Sequence, residues 1–302
     1  SGSKNGLMIS VLIPTYNYNI FPLVSILSAQ LEKSTVSFEI ICLDDGSEKF
    51  HSENQQTNFL NNCSYSILEK NIGRSAIRNL LAKKAKYENL LFLDADVIPV
   101  SENFISTYLS HINSEEKAVY GGIRYQEEKP EKNQVLRWVY GNSREALSVE
   151  KRNENKYLSF LTLNFLISKS VFEKVKFNEN IPNLRHEDTL FSFDLKQAQI
   201  EVIHIENPII HNGLESSLVF LKKSEESLQG LDYLIENKLL SSEYVRLSEK
   251  FKKFKKYNLE GLYLFFYKTF KKSFLKNLLG KNPSMFVFDL YRLGYFMALK
   301  TK

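Results

Sequence analysis

The stretch that decides the fold is Asn89-Leu90-Leu91-Phe92-Leu93-Asp94-Ala95-Asp96. Its first five residues form a short apolar run that is typical of a buried strand. Two carboxylates then follow at i and i+2, at the carboxyl end of that strand, where open α/β sheets bind their ligands. Carboxylate oxygens suit Mg²⁺ or Mn²⁺, which pair well with a diphosphate. The alternative interpretation is a turn with two solvated acids, since Asp is common in turns.

On both sides of this stretch the pattern alternates between strands and helices. It predicts strands at 8–13, 38–43, 65–68, 90–93 and 118–123, and helices at 21–31, 55–61, 74–84 and 188–198. Such alternation indicates a parallel sheet with crossover helices. Residues 127–156 are mostly polar and are expected to contain a mobile loop, and the chain from about residue 216 is mostly helical. Neither G-x-G-x-x-G after the first strand nor G-x-x-x-x-G-K-[ST] occurs, which argues against dinucleotide-binding and P-loop proteins.

Four polar clusters fall at the ends of the predicted strands. They are Pro14-Thr15-Tyr16-Asn17, Asp44-Asp45-Gly46-Ser47, Asn71-Ile72-Gly73-Arg74 leading to Arg78-Asn79, and Asp94-Ala95-Asp96. Because the carboxyl ends of parallel strands share one edge of a sheet, we expect the clusters to converge. An aromatic ring can stack on a base, an aspartate can accept from a base N–H or a ribose hydroxyl, and an arginine can face phosphate. Each cluster alone could be a turn, but four in order favour a nucleotide site.

Positive charge is concentrated at the end of the chain. Residues 250–302 hold 13 Lys and Arg against two acids, a net charge of +11, whereas the whole chain is +5, so residues 1–249 carry −6. Phe and Leu recur in this tail every three to five residues, which is typical of a basic amphipathic helix. Two interpretations stay open: the helix packs on the body, or it docks on an anionic membrane surface. Nucleic acid is not an expected partner.

The motifs resemble those of the inverting family 2 glycosyltransferases, which have the GT-A nucleotide-sugar-binding fold. The matching pieces are Ser10-Val11-Leu12-Ile13-Pro14-Thr15-Tyr16-Asn17, Asp44-Asp45-Gly46-Ser47, Gly73-Arg74-Ser75-Ala76-Ile77-Arg78-Asn79, Asp94-Ala95-Asp96 and Glu187-Asp188. The resemblance covers residues 8–215 and implies an α/β chain in two parts. Residues 1–215 would form the catalytic GT-A domain, a Rossmann-like, mostly parallel sheet flanked by helices, and residues 216–302 a helical, basic C-terminal extension.

The same resemblance implies roles for individual residues. The residues expected to bind the donor are Thr15, Tyr16, Asn17, Asp45, Arg78, Asp94 and Ala95. In the family, residues matching Thr15, Tyr16, Asp45 and Arg78 contact the base and its nearby ribose, Asp94 holds ribose, and Asp96 binds Mn²⁺ or Mg²⁺. His211 occupies a position where many members carry a histidine near the diphosphate or metal, although an isolated histidine near a strand can equally be structural.

The catalytic base implied by the resemblance is Asp188, in the pair Glu187-Asp188. The alternative interpretation of this pair is an acidic first turn, which stabilises the start of a helix. His186 precedes it, where the family usually has glycine. On the acceptor side, Arg124, Arg137, Trp138 and Arg144 are further candidates.

The implied activity is a metal-dependent, inverting hexosyl transfer. A nucleotide-sugar, expected to be a UDP-sugar, would be the donor, and a hydroxyl of a glycan or lipid-linked molecule the acceptor, in surface polysaccharide synthesis. The alternatives are a non-catalytic nucleotide-binding or scaffold protein on the same fold, and a nucleotidyltransferase, which would need a glycine-rich phosphate loop. Two cysteines and no apolar run of roughly 18 residues lead us to expect a cytoplasmic protein, peripheral on the inner face of the cell membrane if the tail docks there.

Overall fold

Strands and helices alternate from residue 8 to residue 93, as the apolar pattern predicts. The protein is described here from a computed structural model, and the residues described are 6–301, so that Lys302 of the basic tail lies outside them. The elements are β1 (Met8–Thr15), α1 (Phe21–Glu32), β2 (Ser37–Asp44), α2 (His51–Gln55), β3 (Cys63–Ile67), α3 (Arg74–Lys84), β4 (Asn89–Leu93), β5 (Val97–Pro99), α4 (Phe104–Leu109), β6 (Lys117–Tyr120) and β7 (Ile123–Arg124).

Helices dominate the rest of the chain, with three short strands among them. The elements are α5 (Val135–Tyr140), α6 (Val149–Asn153), β8 (Asn164–Ser168), α7 (Lys169–Val175), α8 (Glu187–Gln197), β9 (Glu201–His204), β10 (Ile209–His211), α9 (Ser217–Glu236), α10 (Arg246–Lys256), α11 (Glu260–Leu278) and α12 (Met285–Lys300). The mostly helical C-terminal region is therefore confirmed. Among the residues described, no helix combines the length and the hydropathy that crossing a membrane requires.

The larger of the two β-sheets has seven strands. Its strand order is β3-β2-β1-β4-β8-β6-β9, and all neighbours run parallel except β8, which is antiparallel to both β4 and β6. The α/β architecture with a mostly parallel sheet flanked by helices is thus as predicted. A second sheet, in the order β5-β10-β7, pairs His211 with Val97. This pairing brings the last residue of β10 beside the stretch that follows Asp96.

Three local predictions differ from the structure. The helix predicted at 55–61 begins earlier, with α2 at His51 and a 3₁₀ turn over Gln56–Phe59, where buried Asn54 accepts the backbone N–H of Ile20 at 2.9 Å. The strand predicted at 118–123 breaks at Gly121 and Gly122, because Gly122 has a φ of +98° that a strand does not tolerate. Residues 127–156, expected to contain a mobile loop, are in large part helical, since the apolar side of α5 is buried, and the mobility of their non-helical stretches stays a prediction.

The described chain divides into two compact units. The sheet unit comprises residues 6–124, 147–179 and 194–213, and the helical unit comprises 125–146, 180–193 and 214–301. In the sheet unit the core centres on Phe92, whose ring stacks on those of Phe165 and Phe172 at centroid distances of 4.9 and 5.3 Å. The predicted domain boundary after residue 215 stays a prediction.

Most of the large apolar side chains of the basic tail pack against other side chains of the helical unit. Phe274 and Leu278 are buried in one cluster with Phe288, and Phe251 packs edge-on against the buried ring of Phe296 at 5.4 Å. The helices are therefore held chiefly by packing of these side chains, as for most protein helices. Three large apolar side chains of α11 remain at the surface, Leu262, Phe265 and Phe270, with exposed fractions of 68%, 71% and 46%.

Gly121 provides a test of how tightly the sheet unit is packed beside the strand ends. A Cβ at this position would lie 2.7 Å from Asn164 Nδ2 and closer still to the Asn207 carbonyl oxygen, whereas a Cβ on Gly261 would meet nothing within 4 Å. We expect Gly121→Ala to lower the free energy of unfolding by about 1–3 kcal/mol, the usual cost of overpacking. Gly261→Ala, the matched control, should be neutral or mildly stabilising. Urea denaturation of both variants measures this; equal midpoints would contradict the packing described.

Candidate active site

The loop after β1 is fixed by hydrogen bonds to the loop after β2. Asn17 has a positive φ of 50°, its N–H donates to Ser47 Oγ at 2.7 Å, and its Oδ1 accepts the N–H of Glu48 at 2.9 Å. Thr15 is buried. Tyr16, by contrast, is 55% exposed, so that its ring has a free face on which a base could stack. The donor-binding roles of these residues stay predictions.

Asp45 lies directly after β2 and fastens the loop that precedes α3. Its Oδ1 accepts the N–H of Ile72 at 2.7 Å, its Oδ2 accepts the N–H of Gly73 at 3.0 Å, and its own N–H donates to the Thr15 carbonyl at 2.8 Å. The side chain is almost fully buried. A carboxylate has about four acceptor sites, so these contacts leave room for a ligand. Sequence reasoning assigned Asp45 to the ligand and did not foresee this backbone role.

A partly buried ion pair joins α3 to the end of β4. Arg78 Nη2 donates to Asp94 Oδ1 at 2.8 Å, and the Arg78 guanidinium also lies over the ring of Phe177, 5.4 Å from its centroid. Burial raises the pKa of Asp94, the neighbouring carboxylate of Asp96 raises it further, and Arg78 opposes both effects. Arg78 therefore supplies positive charge between the sheet and α3, close to Asp94, rather than at an open surface. Ala95, between the two aspartates, is half-buried.

Asp96 and His211 lie next to each other at the second sheet. His211 Nε2 is 3.2 Å from Asp96 Oδ2, and the N–H of Asn212 donates to the Asp96 carbonyl oxygen at 2.8 Å. Gly213 leaves the carboxylate accessible, because a Cβ there would lie 2.5 Å from Asp96 Oδ2. Tyr18 is a neighbour that sequence reasoning missed: burial, and then the charge of Asp96, raise the pKa of its hydroxyl. In the sequence, the feature that could have indicated Tyr18 as a site residue was its position directly after Tyr16-Asn17.

The Asp96–His211 pair fits a divalent cation shared with a substrate. Two ligands of one octahedral ion, each about 2.1 Å from it, lie about 3 Å apart, which matches the 3.2 Å separation. Across the described residues, 6–301, no group of three or more His, Cys, Asp or Glu is arranged to hold a metal alone. Mg²⁺-type sites commonly combine one or two carboxylates with substrate phosphates and water, so two protein ligands suffice for such a site.

Asp188 lies in the helical unit, in the first turn of α8. Its Oδ1 accepts the N–H of Thr189 at 2.8 Å, and His186 Nδ1 is 2.8 Å from Thr189 Oγ1. The acidic first turn foreseen as the alternative is therefore present, and the role of Asp188 as the catalytic base stays a prediction. Of the acceptor-side candidates, Arg137 is buried against Glu145 at 3.0 Å and Arg144 pairs with Asp289 at 2.7 Å.

Comparisons with known proteins bear on the family and the fold of the chain. The family model described as "Glycosyl transferase family 2" matches residues 10–176. A mannosyltransferase from Pyrobaculum calidifontis, solved in complex with GDP-Man and Mn²⁺, superposes with a TM-score of 0.54 at 14% identity, over 77% of this chain and 65% of that one. No curated protein sequence matches.

Staphylococcus aureus TarS is a further structural match, in two solved forms. The full protein has a TM-score of 0.48 at 19% identity, over 74% of this chain but only 39% of its own, and its 1–349 fragment has 0.45 at 16%, over 98% and 92%. At 14% identity, the likeness to the mannosyltransferase concerns the fold alone. The family model spans more than half of the chain and includes all the strand-end clusters. The chain therefore belongs to glycosyl transferase family 2.

Proposed function

We propose that the protein transfers a sugar from a nucleotide-diphosphate donor, a UDP-sugar, to a hydroxyl of a glycan or lipid-linked acceptor in surface polysaccharide synthesis, with inversion at the anomeric carbon. The observation that supports this most is the cluster of Asp94, Asp96 and His211 at strand ends of a family 2 chain. It combines two carboxylates, an imidazole and a nearby guanidinium, a set of groups suited to a nucleoside diphosphate and its cation.

The sheet unit binds the donor in this proposal. The exposed ring of Tyr16 stacks on the base, Thr15, Asn17 and Ala95 line the loops beside it, and Asp45 accepts a hydrogen bond from base or ribose with the lone pairs that its backbone contacts leave. Asp94 accepts from ribose hydroxyls. Its ion pair with Arg78 supports this role, because the guanidinium favours the charged form of the carboxylate and fixes its orientation.

Asp96 and His211 would hold Mn²⁺ or Mg²⁺. When bound, the ion neutralises charge on the diphosphate leaving group. Imidazole is a better ligand for Mn²⁺ than for Mg²⁺, so we propose Mn²⁺ as the preferred ion.

Asp188 is the proposed general base. Its carboxylate takes the proton from the acceptor hydroxyl while the hydroxyl oxygen forms a bond to the anomeric carbon. The bond from that carbon to the phosphate oxygen breaks, and the nucleoside diphosphate leaves with the electron pair. One displacement inverts the configuration of the anomeric carbon, and no residue forms a covalent bond with the sugar.

The metal dependence is tested with Asp96→Ala. We expect Mn²⁺ to strengthen UDP binding to the unmodified protein, because an acidic site needs a cation to hold a diphosphate, and we expect this enhancement to disappear in the variant. Isothermal titration calorimetry with and without Mn²⁺ measures it. Glu206→Ala is the matched control, since Glu206 is an acid of the same unit that pairs with Arg124 at 2.6 Å. Mn²⁺-enhanced binding that survives in Asp96→Ala would contradict the assignment.

The base is tested with Asp188→Asn, which keeps the side-chain shape and removes the basicity. Turnover should fall by roughly 10²–10⁴-fold, the usual contribution of a positioned base, while UDP binding is unchanged. Asp194→Asn on the same helix is the control and should change turnover little. The assay measures release of UDP in the presence of a verified acceptor. Near-normal turnover in Asp188→Asn would show that another group removes the proton.

We further propose that α11 docks the enzyme on the inner face of an anionic membrane. Leu262 and Phe265 are exposed and lie three residues apart, on one face of the helix. The same face continues through Lys272 and Lys276, both exposed. Exposed apolar side chains followed by lysines suit a lipid interface, where the apolar groups enter the acyl boundary and the ammonium groups meet the phosphates. The apolar contribution is smaller than the sequence suggested, because most of the tail's phenylalanines are packed inside the helical unit.

Co-sedimentation with liposomes tests the docking surface in the full chain. Lysines near an anionic leaflet contribute about 1 kcal/mol each, and this attraction is screened as the Debye length falls from about 10 Å at 0.1 M salt to about 3 Å at 1 M. We expect binding to anionic but not neutral liposomes, release at high salt, and weaker binding of the double variant Leu262→Ser with Phe265→Ser. Phe59→Ser is the control, since Phe59 is 89% exposed in the sheet unit. If the three proteins sediment equally, the result would favour the alternative that α11 only packs within the helical unit.

A further inference from the structure

A cavity of about 520 Å³ lies among four helices of the helical unit, α9, α10, α11 and α12, each of which contributes to its lining. Its volume falls within the range of about 300–1,000 Å³ that is typical of small-molecule sites. The lining includes the exposed side chains of Lys252, Lys255 and Thr301, so the cavity opens to solvent. All of its lining residues belong to the helical unit, and none of them is a residue proposed for the donor or the metal.

Part of the cavity wall is apolar. Ile235 of α9, Phe251 of α10 and Phe296 of α12 line it, and the ring of Phe251 packs edge-on against that of Phe296, with the centroids 5.4 Å apart. Phe296 is fully buried, whereas Ile235 and Phe251 are only half-buried. These two side chains therefore offer apolar surface that a hydrocarbon chain can cover.

The lysines of the cavity differ in their ion pairs. Lys252 pairs with Glu243 at 2.6 Å, and Lys300 pairs with Glu236. Lys255, by contrast, is exposed and forms no ion pair within residues 6–301. Because α10 holds six Lys and Arg against one acid, a net charge of +5, this lysine lies in a positive field. The surroundings of Lys255 therefore favour an anionic group.

An acid in the first turn of α11 completes the polar part of the lining. Glu260 is half-buried, and it too has no ion-pair partner in the described part of the chain. A carboxylate accepts hydrogen bonds and repels anions. A ligand that meets both Lys255 and Glu260 therefore needs an anionic group for the first and hydroxyl donors for the second, which a free phosphate does not provide.

We propose that the cavity binds one molecule of an anionic lipid whose headgroup carries hydroxyl groups, as in phosphatidylglycerol. The part of its hydrocarbon chains nearest the headgroup lies against Ile235 and Phe251, its phosphate lies at Lys255, and its hydroxyls donate to Glu260. This inference rests on the proposed membrane docking only for the source of the lipid. The cavity adds recognition of one headgroup to the general attraction of α11 for an anionic surface.

Calorimetry of the full-length protein with dihexanoyl phosphatidylglycerol, kept below its critical micelle concentration, tests the proposal. The short chains keep the lipid monomeric, so that no membrane surface is present. We expect saturable binding, and we expect dihexanoyl phosphatidylcholine, which has the same chains but no net charge and no hydroxyl, to bind at least about tenfold more weakly. Glycerol phosphate, a headgroup without chains, should also bind at least about tenfold more weakly, because burial of one CH₂ group alone contributes about fourfold.

Two variants test the position of the ligand. Ser242, between α9 and α10, lines the cavity, so Ser242→Phe should fill it and abolish binding, whereas Ser241→Phe changes an exposed neighbour outside the lining and is the matched control. Lys255→Gln removes an exposed charge and stays informative even if Ser242→Phe does not fold. It should weaken binding about fivefold, the contribution of one lysine near an anionic lipid, while Lys256→Gln should leave the affinity unchanged.

The outcomes separate this site from the docking surface of α11. The double variant Leu262→Ser with Phe265→Ser leaves the cavity intact and should bind monomeric phosphatidylglycerol as the unmodified protein does. No binding of this lipid, unchanged affinity in Lys255→Gln, or equal binding of phosphatidylcholine or glycerol phosphate overturns the proposal. The titration contains no liposome, no donor and no turnover, so failure of the docking surface in the liposome assay would leave its result intact.

Discussion

Parallel pairing of β1 with β2 and β4 is the constraint on which the donor side of the structure depends. Thr15 pairs with Asp44 at the last position of both strands, and Leu12 pairs with Phe92, so that the polar residues after all three strands leave the sheet at one edge. Because parallel strands all run in the same direction, the residues that directly follow them lie at the same edge of the sheet. A one-residue slip of the register would turn each buried side chain to the opposite face.

The negative charges at this edge of the sheet are only partly compensated by positively charged side chains of the sheet unit. Arg78 compensates Asp94, whereas the neighbour of Asp96 is the imidazole of His211 and not a guanidinium or an ammonium group. A nucleoside diphosphate would add further negative charge. Local electrostatics therefore favour a cation at Asp96, and the 3.2 Å spacing to His211 is compatible with two ligands of the same ion. The polar contacts of Asp45 and Asn17 to backbone groups hold the surrounding loops in fixed positions, which lowers the entropy lost when a donor binds.

The strands and helices of the sheet unit were predictable where the apolar pattern is strong and local. The helix over Arg74–Lys84 coincides with its prediction, and β4 differs from its prediction by one residue. Predictions failed where distant contacts decide the conformation. Asn54, a polar residue, is fully buried because it bonds to the backbone at Tyr18 and Ile20, and this contact places α2 earlier than expected. The apolar run Val135–Tyr140, within an otherwise polar stretch, forms the short helix α5 because Leu136 is buried among residues of α9, α11 and α12.

By itself, the sequence determined the order of strands and helices, the clusters at the strand ends and the family to which the chain belongs, because these depend on periodicity and on motifs that are local in the chain. Only the tertiary structure decided that His211 lies beside Asp96 and that Arg78 pairs with Asp94. Each of these pairs joins residues that are 16 to 115 positions apart, and their proximity follows from strand pairing and helix packing, which no local pattern encodes.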